Sequence, residues 1–282
     1  MNETARASFT ATAAFPPFEY LPGPLDAGVL LICDHVICGH ALNALPPEYG
    51  SLGLPSAAFA RHIAYDIGAA DLTRALAARL KAPAALSTFS RLLIDPNRGA
   101  DDPTLVMRYS DGTIVPGNAR IDAAEIARRR ERFWAPYRNI IMATIEKMMA
   151  SGEPPAILSI HSFTPAWRGI PRRWKIGVLW DRDDRMARPL VEKLLAQPDI
   201  HEGGVGDNEP YDGALAGDTI DAVATPPMLA NALIEIRQDL IYSPERAAEW
   251  ADRLARLLKP MLAEWSAREP RDFGSRRSRM RG

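Results

Sequence analysis

Cysteine is scarce: Cys33 and Cys38 are the two in 282 residues. That number excludes a disulfide framework, and their separation matches no common zinc ribbon, so a core thiol and a loop thiol is the plainer reading. Long apolar runs are missing as well. No stretch approaches the roughly 20 apolar residues that cross a bilayer, and residues 1–27 lack the basic start and continuous apolar core of a signal peptide. The expectation is a cytoplasmic protein with no membrane partner. Excess charge is absent too, since a formal net charge of −1 gives bulk attraction neither to nucleic acid nor to an anionic surface. No internal repeat is visible. With these classes set aside, a small-molecule substrate has to be argued from a site. The remaining composition, 47% hydrophobic and 24% charged, suits one large α/β domain with a well-filled core. Oligomeric state is not legible.

The organising stretch is Gly28-Val29-Leu30-Leu31-Ile32-Cys33-Asp34-His35, continuing through His40 and Asn43 to Pro46-Pro47. An apolar run ending in an acid and histidines reads as a buried strand that delivers polar side chains to the mouth of an open sheet. Ala156 to Pro165 repeats the pattern, with His161 near the end of the run. One strand-end histidine is usually a satisfied core residue; two at the carboxyl ends of parallel strands point to a shared metal. Leu233 to Ile241 is a third buried strand, and Glu235 sits inside it. Burying an ionised carboxylate is costly without a partner, so Glu235 either pairs with Arg237 or another cation or serves as a general base.

Between these strands, Pro55 to Gly68 is predicted helical, which would put His62 and Asp66 on one face. Ala70 to Lys81 continues as helix with Leu72, Leu76 and Leu80 as its apolar stripe. Ala84 to Ser87 and Thr104 to Tyr109 read as strands, with a turn at Asp111-Gly112. Arg91 and the Asp95-Pro96-Asn97-Arg98 turn offer guanidinium and amide donors for a carboxylate, or an Arg that merely pins the loop through Asp95. Ile121 to Met149 is helical, kinked or broken at Pro136, and its Arg128 to Arg132 run reads as a solvated face rather than a nucleic-acid surface. Gly203 to Tyr211 is glycine-rich without phosphate-loop spacing and reads as a flexible segment facing the substrate. Lys175 to Trp180, Arg185 to Ala196 and Pro244 to Trp265 complete an alternation of strand and helix. That alternation predicts a mostly parallel sheet covered on both faces. Residues 1–27 form an extended lead-in, 28–267 a single domain, and 268–282 a basic tail expected to be disordered.

Six ordered motifs carry a family resemblance from about Leu30 to Leu257. They are Ile32-Cys33-Asp34-His35 with Asn43-Ala44-Leu45-Pro46, His62 to Ala69, Ser90 to Arg98, Ile160 to Pro165, Asp207 to Tyr211, and Ile234 to Leu240. In these the chain resembles the N-formylglutamate amidohydrolase family. The resemblance implies an α/β phosphorylase/hydrolase-like fold of the zinc-exopeptidase and aspartoacylase kind, with a mixed, mostly parallel sheet. It also implies hydrolysis of an N-acyl group from an acidic amino acid. The implied cofactor is Zn2+ or another divalent metal, with His161, a first-loop histidine and Asp66 as ligands and Asp34 or His62 as substitutes. Glu235 resembles the general base, and Asn97 with Arg98 the Asn-Arg pair that holds a substrate carboxylate. Arg91 or Arg237 could hold a second carboxylate, and Asn208 and Tyr211 fall on the substrate-facing segment. Val36 to His40 look like five residues beyond the family pattern: His35 keeps the Cys-Asp-His context, while His40 keeps the spacing to Asn43 and is the favoured ligand. Val223 stands where relatives often carry a histidine. The alternative is a family member without full activity that binds a small carboxylate ligand.

Overall fold

The computed structural model describes residues 15–36, 45–200 and 203–276. Its elements in chain order are β1 (Phe18–Leu21), β2 (Val29–Cys33), α1 (Ala69–Leu80), β3 (Ala84–Ser87), β4 (Tyr109–Ser110), β5 (Thr113–Ile114), α2 (Ala123–Arg129) and α3 (Ala135–Ala150). They continue with β6 (Ala156–Phe163), β7 (Ala166–Trp167), β8 (Ile170–Pro171), β9 (Ile176–Leu179), α4 (Ala187–Leu195), β10 (Val205–Asp207), α5 (Thr219–Val223), β11 (Asn231–Arg237) and α6 (Pro244–Leu262).

Seven strands form one sheet in the order β1-β3-β2-β6-β11-β9-β10. The centre, β3-β2-β6-β11, is parallel, whereas β1 on β3 and β9 on β11 run antiparallel. The α/β reading of alternating elements therefore holds, with a mixed sheet as expected. Strand parity sorts the side chains. Val29, Leu31 and Cys33 pack with α1, α4 and α6 on one face, while Leu30 and Ile32 pack with α3 and α5 on the other. In β6 and β11 the same alternation buries Leu158, Ile160, Ile234 and Ile236 on the first face. It turns Ser159, His161, Leu233 and Glu235 to the second, because successive strand residues alternate sides. A third apolar cluster, built from residues between Leu45 and Val115 and from Phe133, lies under the long connections after β2 and β3.

Several local expectations fail for physical reasons. Pro55 to Gly68 is not a helix: a short 3-10 turn at Ser56–Ala60 gives way to turns, and α1 starts at Ala69. Gly68 has φ +80°, and a Cβ there would lie 2.0 Å from the Ile241 carbonyl oxygen. Asp66 N–H donates to the His35 carbonyl at 3.0 Å instead of to a helical partner. His62 and Asp66 consequently do not share a helix face. Thr104 to Tyr109 is a loop ending in the β4–β5 hairpin, whose turn is Asp111-Gly112. Pro136 does not break its helix. It sits inside one continuous helical run, Ala123 to Ala150, and the irregularity it brings is a π-turn at Arg130–Trp134 directly before it, which accommodates the missing N–H without ending the helix. The arginine run is not wholly solvated, since Arg129 is buried and donates to Glu125, the Leu93 carbonyl and Asn118.

Both termini contribute structure. The lead-in supplies the edge strand β1. The described part of the tail is held to the body, contrary to the expected disorder: Arg268 is buried against Glu153 and two carbonyls, and Arg276 pairs with Asp181 and Asp212. Among the described residues no helix is long and apolar enough to cross a membrane.

Candidate metal centre and active site

β2 ends one residue before Asp34, β6 carries His161, and β11 carries Glu235 opposite it in register. These carboxyl ends, with the loop at Asp66 and the turn at Asp95 to Arg98, surround a cavity of about 610 Å³. Such a mouth at the carboxyl ends of parallel strands is where open α/β sheets place ligands.

At its base, His35, Asp66 and His161 are all buried, and one ligand atom from each lies within 4.8 Å of the others. Both Nδ1 atoms face the same oxygen, Asp66 Oδ2, at 3.3 Å from His35 and 2.8 Å from His161. The other ring nitrogens face buried polar groups: His35 Nε2 lies 2.8 Å from Asp95, and His161 Nε2 lies 3.0 Å from the Ser159 hydroxyl and 3.3 Å from Asp34. A carboxylate behind each histidine, with Nδ1 atoms facing one shared acid, is the outer arrangement that orients imidazoles toward a metal. Two nitrogens and one carboxylate oxygen suit zinc and similar divalent ions, with room for further ligands.

The electrostatics follow from burial and pairing. Burial pushes the Asp66 carboxyl up, but the charge of His35 and the hydrogen bonds from both histidines hold it well below the usual range. Burial disfavours a charged His161, yet its bonds to Asp34 and Asp66 hold it well above the usual histidine range. Asp95 is kept low, against burial, mainly by Arg91 and His35. Glu235 differs: burial raises it to about 7, and its Oε2 is buried with no hydrogen-bond partner among the described residues. An orphaned buried carboxylate oxygen costs about 1–3 kcal/mol, which is tolerated where chemistry needs it.

Of the expected substrate contacts, Asn97, Arg98, Arg91 and Tyr211 line the cavity. Arg91 donates to Asp95 through Nε and Nη2 and lies 3.8 Å from Asp66, so it braces the acids. Arg98 bonds to the Thr104 hydroxyl and the Asn97 carbonyl and has no acidic partner within 4.0 Å among the described residues. Asn97 Oδ1 accepts from Thr219 N–H at 2.9 Å. Tyr211 receives a hydrogen bond from Arg172.

Two expected residues do not reach the cavity. Arg237 turns at the end of β11 to Asp239 and to the carbonyls of Arg172 and Trp174. It therefore does not pair with Glu235 either. Asn208 uses Oδ1 to accept from the Trp180 and Gly213 backbone N–H groups, which shapes the loop. Among the alternates, Asp34 stands behind His161 and also accepts from Thr219 Oγ1 at 2.7 Å. His62 lies at the rim, 3.4 Å from Asp111. His35 occupies the cluster, and His40 lies outside the described residues. Val223 packs in the core beside Tyr137 and Ile141, while Asp218 and Ile220 are the residues of that segment lining the cavity. Asp218 was not singled out from sequence; only its place as an acid just before a short helix could have signalled it.

The family profile described as N-formylglutamate amidohydrolase matches residues 35–242. The chain is similar in structure to gene product Atu2144 from Agrobacterium tumefaciens, with TM-score 0.79 and 30% identity over 88% of this chain and 96% of that one. It is also similar to the N-formylglutamate amidohydrolase from Ralstonia eutropha JMP134, with TM-score 0.52 and 22% identity over 87% of this chain and 95% of that one, which speaks to the fold alone. No curated protein is significantly similar in sequence. Matched over most of its length and by the ordered motifs that meet at one cavity, the chain belongs to the N-formylglutamate amidohydrolase family.

Proposed function

We propose that the chain is a zinc-dependent amidohydrolase that removes an N-acyl group, formyl among them, from a small carboxylate-bearing amino acid such as glutamate. The observation that carries this reading is the convergence of the two Nδ1 atoms on Asp66, with a Glu235 oxygen unpartnered among the described residues in the same cavity. A zinc ion held by His35, Asp66 and His161 would supply Lewis acidity toward the amide carbonyl and bring the pKa of water to about 7.

The chain's own residues do the rest. Asp95 and Asp34 fix the imidazole orientations. Arg98, free of an acidic partner among the described residues, pairs with the substrate carboxylate, and Asn97 has its amide NH2 available beside it because its Oδ1 is spent on Thr219. Glu235 takes a proton from the attacking water and delivers it to the departing nitrogen. The amide C–N bond breaks, the water oxygen stays on the acyl carbon, and a carboxylic acid and an amine leave. A base with its pKa near 7 is matched to that double duty.

The test is release of glutamate from N-formyl-L-glutamate and N-acetyl-L-glutamate by zinc-loaded protein, beside Glu235→Gln. Turnover that the variant loses while keeping its zinc supports the reading. Stoichiometric metal with no turnover of these compounds or of N-acyl-L-glutamates with larger acyl groups refutes catalysis. It would leave the second reading, a carboxylate-binding member of the family.

A further inference from the structure

The cavity has two unlike ends. On the β3 side stand Asn97 and Arg98, polar and cationic. Toward β9 the wall is largely apolar: Leu179, Trp180, Leu215, Ile220 and Leu233 line it, with Asn231, Asp212 and Asp218 as its polar members, and Thr219 beside Ile220 ties this wall to Asn97. The sheet order places the proposed reacting centre between them, since His161 is on β6 and Glu235 on β11, with β3 to one side and β9 to the other. With strands about 4.8 Å apart, β9 lies roughly 10 Å beyond β6. Leu233 is two residues before Glu235 on the same face and pairs in register with Leu179, so the apolar lobe opens about 7 Å from the base along the strand.

Resting on the hydrolase reading, we infer that this lobe is an acyl pocket and that the chain acts on N-acyl amino acids with a bulky apolar acyl group. A substrate carboxylate at Arg98 puts the amine half on the β3 side and the scissile carbonyl at His161 and Glu235. The acyl half then points toward Leu233 and Leu179. A formyl group ends at its single carbon and leaves the lobe to water. A phenylacetyl or hexanoyl group extends into it and buries apolar surface against five apolar side chains. The volume agrees: about 610 Å³ falls in the range of roughly 300–1,000 Å³ that encloses drug-sized ligands. The bond chemistry is unchanged, with water adding to the acyl carbon, the C–N bond breaking, and phenylacetic or hexanoic acid leaving beside the free amino acid.

The experiment compares kcat/KM of zinc-loaded protein for N-acetyl-, N-hexanoyl- and N-phenylacetyl-L-glutamate, with N-formyl-L-glutamate as the activity control. It also measures Kd of the same compounds for zinc-loaded Glu235→Gln by calorimetry, a readout independent of turnover. A buried methylene contributes about fourfold, so the larger acyl compounds should exceed N-acetyl-L-glutamate by at least about tenfold in both readouts. Leu215→Trp, at a position 41% exposed where added bulk does not overpack the core, should collapse that ratio. Leu195→Trp, 48% exposed on α4, should leave the ratio intact. Hydrolysis of the formyl and acetyl compounds with no preference for larger groups, or a preference that Leu215→Trp does not alter, overturns the acyl pocket and leaves the hydrolase standing. No hydrolysis of any of the four overturns both.

Discussion

Asp95→Asn separates a metal-orienting role for Asp95 from a loop-pinning one. Asp95 is fully buried and accepts from His35 Nε2, from Arg91 Nε and Nη2, and from Asn97 N–H. Asparagine keeps the shape and one acceptor oxygen but removes the charge facing both His35 and Arg91. Losing a carboxylate behind a ligating histidine typically costs about 10–100-fold in metal affinity, which is roughly 1.4–2.7 kcal/mol. Stripping a buried cation of its partner costs about 3–5 kcal/mol when nothing else remains. Arg91 is 19% exposed at its side chain and keeps Asp66 at 3.8 Å, so about 2–3 kcal/mol is the expected loss, or roughly 4–10 °C in Tm of the metal-free protein. The assays are zinc competition against a chromogenic chelator and thermal unfolding of the metal-free form. A lowered Tm with zinc affinity unchanged within about twofold would refute the orienting role and leave Asp95 as the anchor of Arg91.

Other outcomes follow from the same geometry. Arg98→Ala should raise KM for a carboxylate-bearing substrate by about 10–100-fold, the value of a charged hydrogen bond of roughly 1.5–3 kcal/mol. kcat should change little, and an unchanged KM would remove Arg98 from the binding account. Arg237→Ala should leave KM alone and lower stability by about 1–2 kcal/mol, because its partners are Asp239 and backbone carbonyls; a raised KM would contradict this. Asp218 caps α5, accepts from Asp221 N–H, and is raised by burial to about 7. Its folded pKa lies above the unfolded value near 3.9, so between about pH 4 and 7 the unfolded chain gives up this proton first and the folded state loses stability as pH rises. The loss is of order 2–4 kcal/mol. Asparagine caps a helix equally well, so Asp218→Asn should flatten that stretch of the stability curve and raise Tm at pH 8, as urea unfolding at several pH values would show.

How far the sequence reached depends on which forces set each feature. β2, β6 and β11 are legible because an unbroken apolar run is dictated locally by burial on both faces, and Asp34, His161 and Glu235 ride on those runs. The turn holding Asp66 is not legible in that way: its backbone is set by Gly68 packing on Ile241, a contact across more than half the chain. Helical spacing therefore misplaced His62, which stands at the rim. The side-chain turn that sends Arg237 to Asp239, and the backbone acceptor role of Asn208, depend on neighbouring loops rather than on strand parity. His35 and His40 compete in the sequence because context and spacing disagree, and the structure brings His35 to Asp66 through the backbone bond between them. The pairing of each histidine with a second acid was invisible, since Asp34 and Asp95 read equally well as ligand or as salt-bridge partner until rotamers are known. The apolar lobe is a tertiary product of β9, β11 and α5, and no local pattern announces it.

The central claim is that His35, Asp66 and His161 hold one metal ion. Its most direct test is elemental analysis of protein purified without chelator and reconstituted with zinc, comparing wild type with His35→Ala, His40→Ala and His161→Ala. The account predicts about one zinc per chain in wild type and in His40→Ala, and loss in the other two. No zinc in wild type after reconstitution, or full zinc in His35→Ala with loss in His40→Ala, would contradict it.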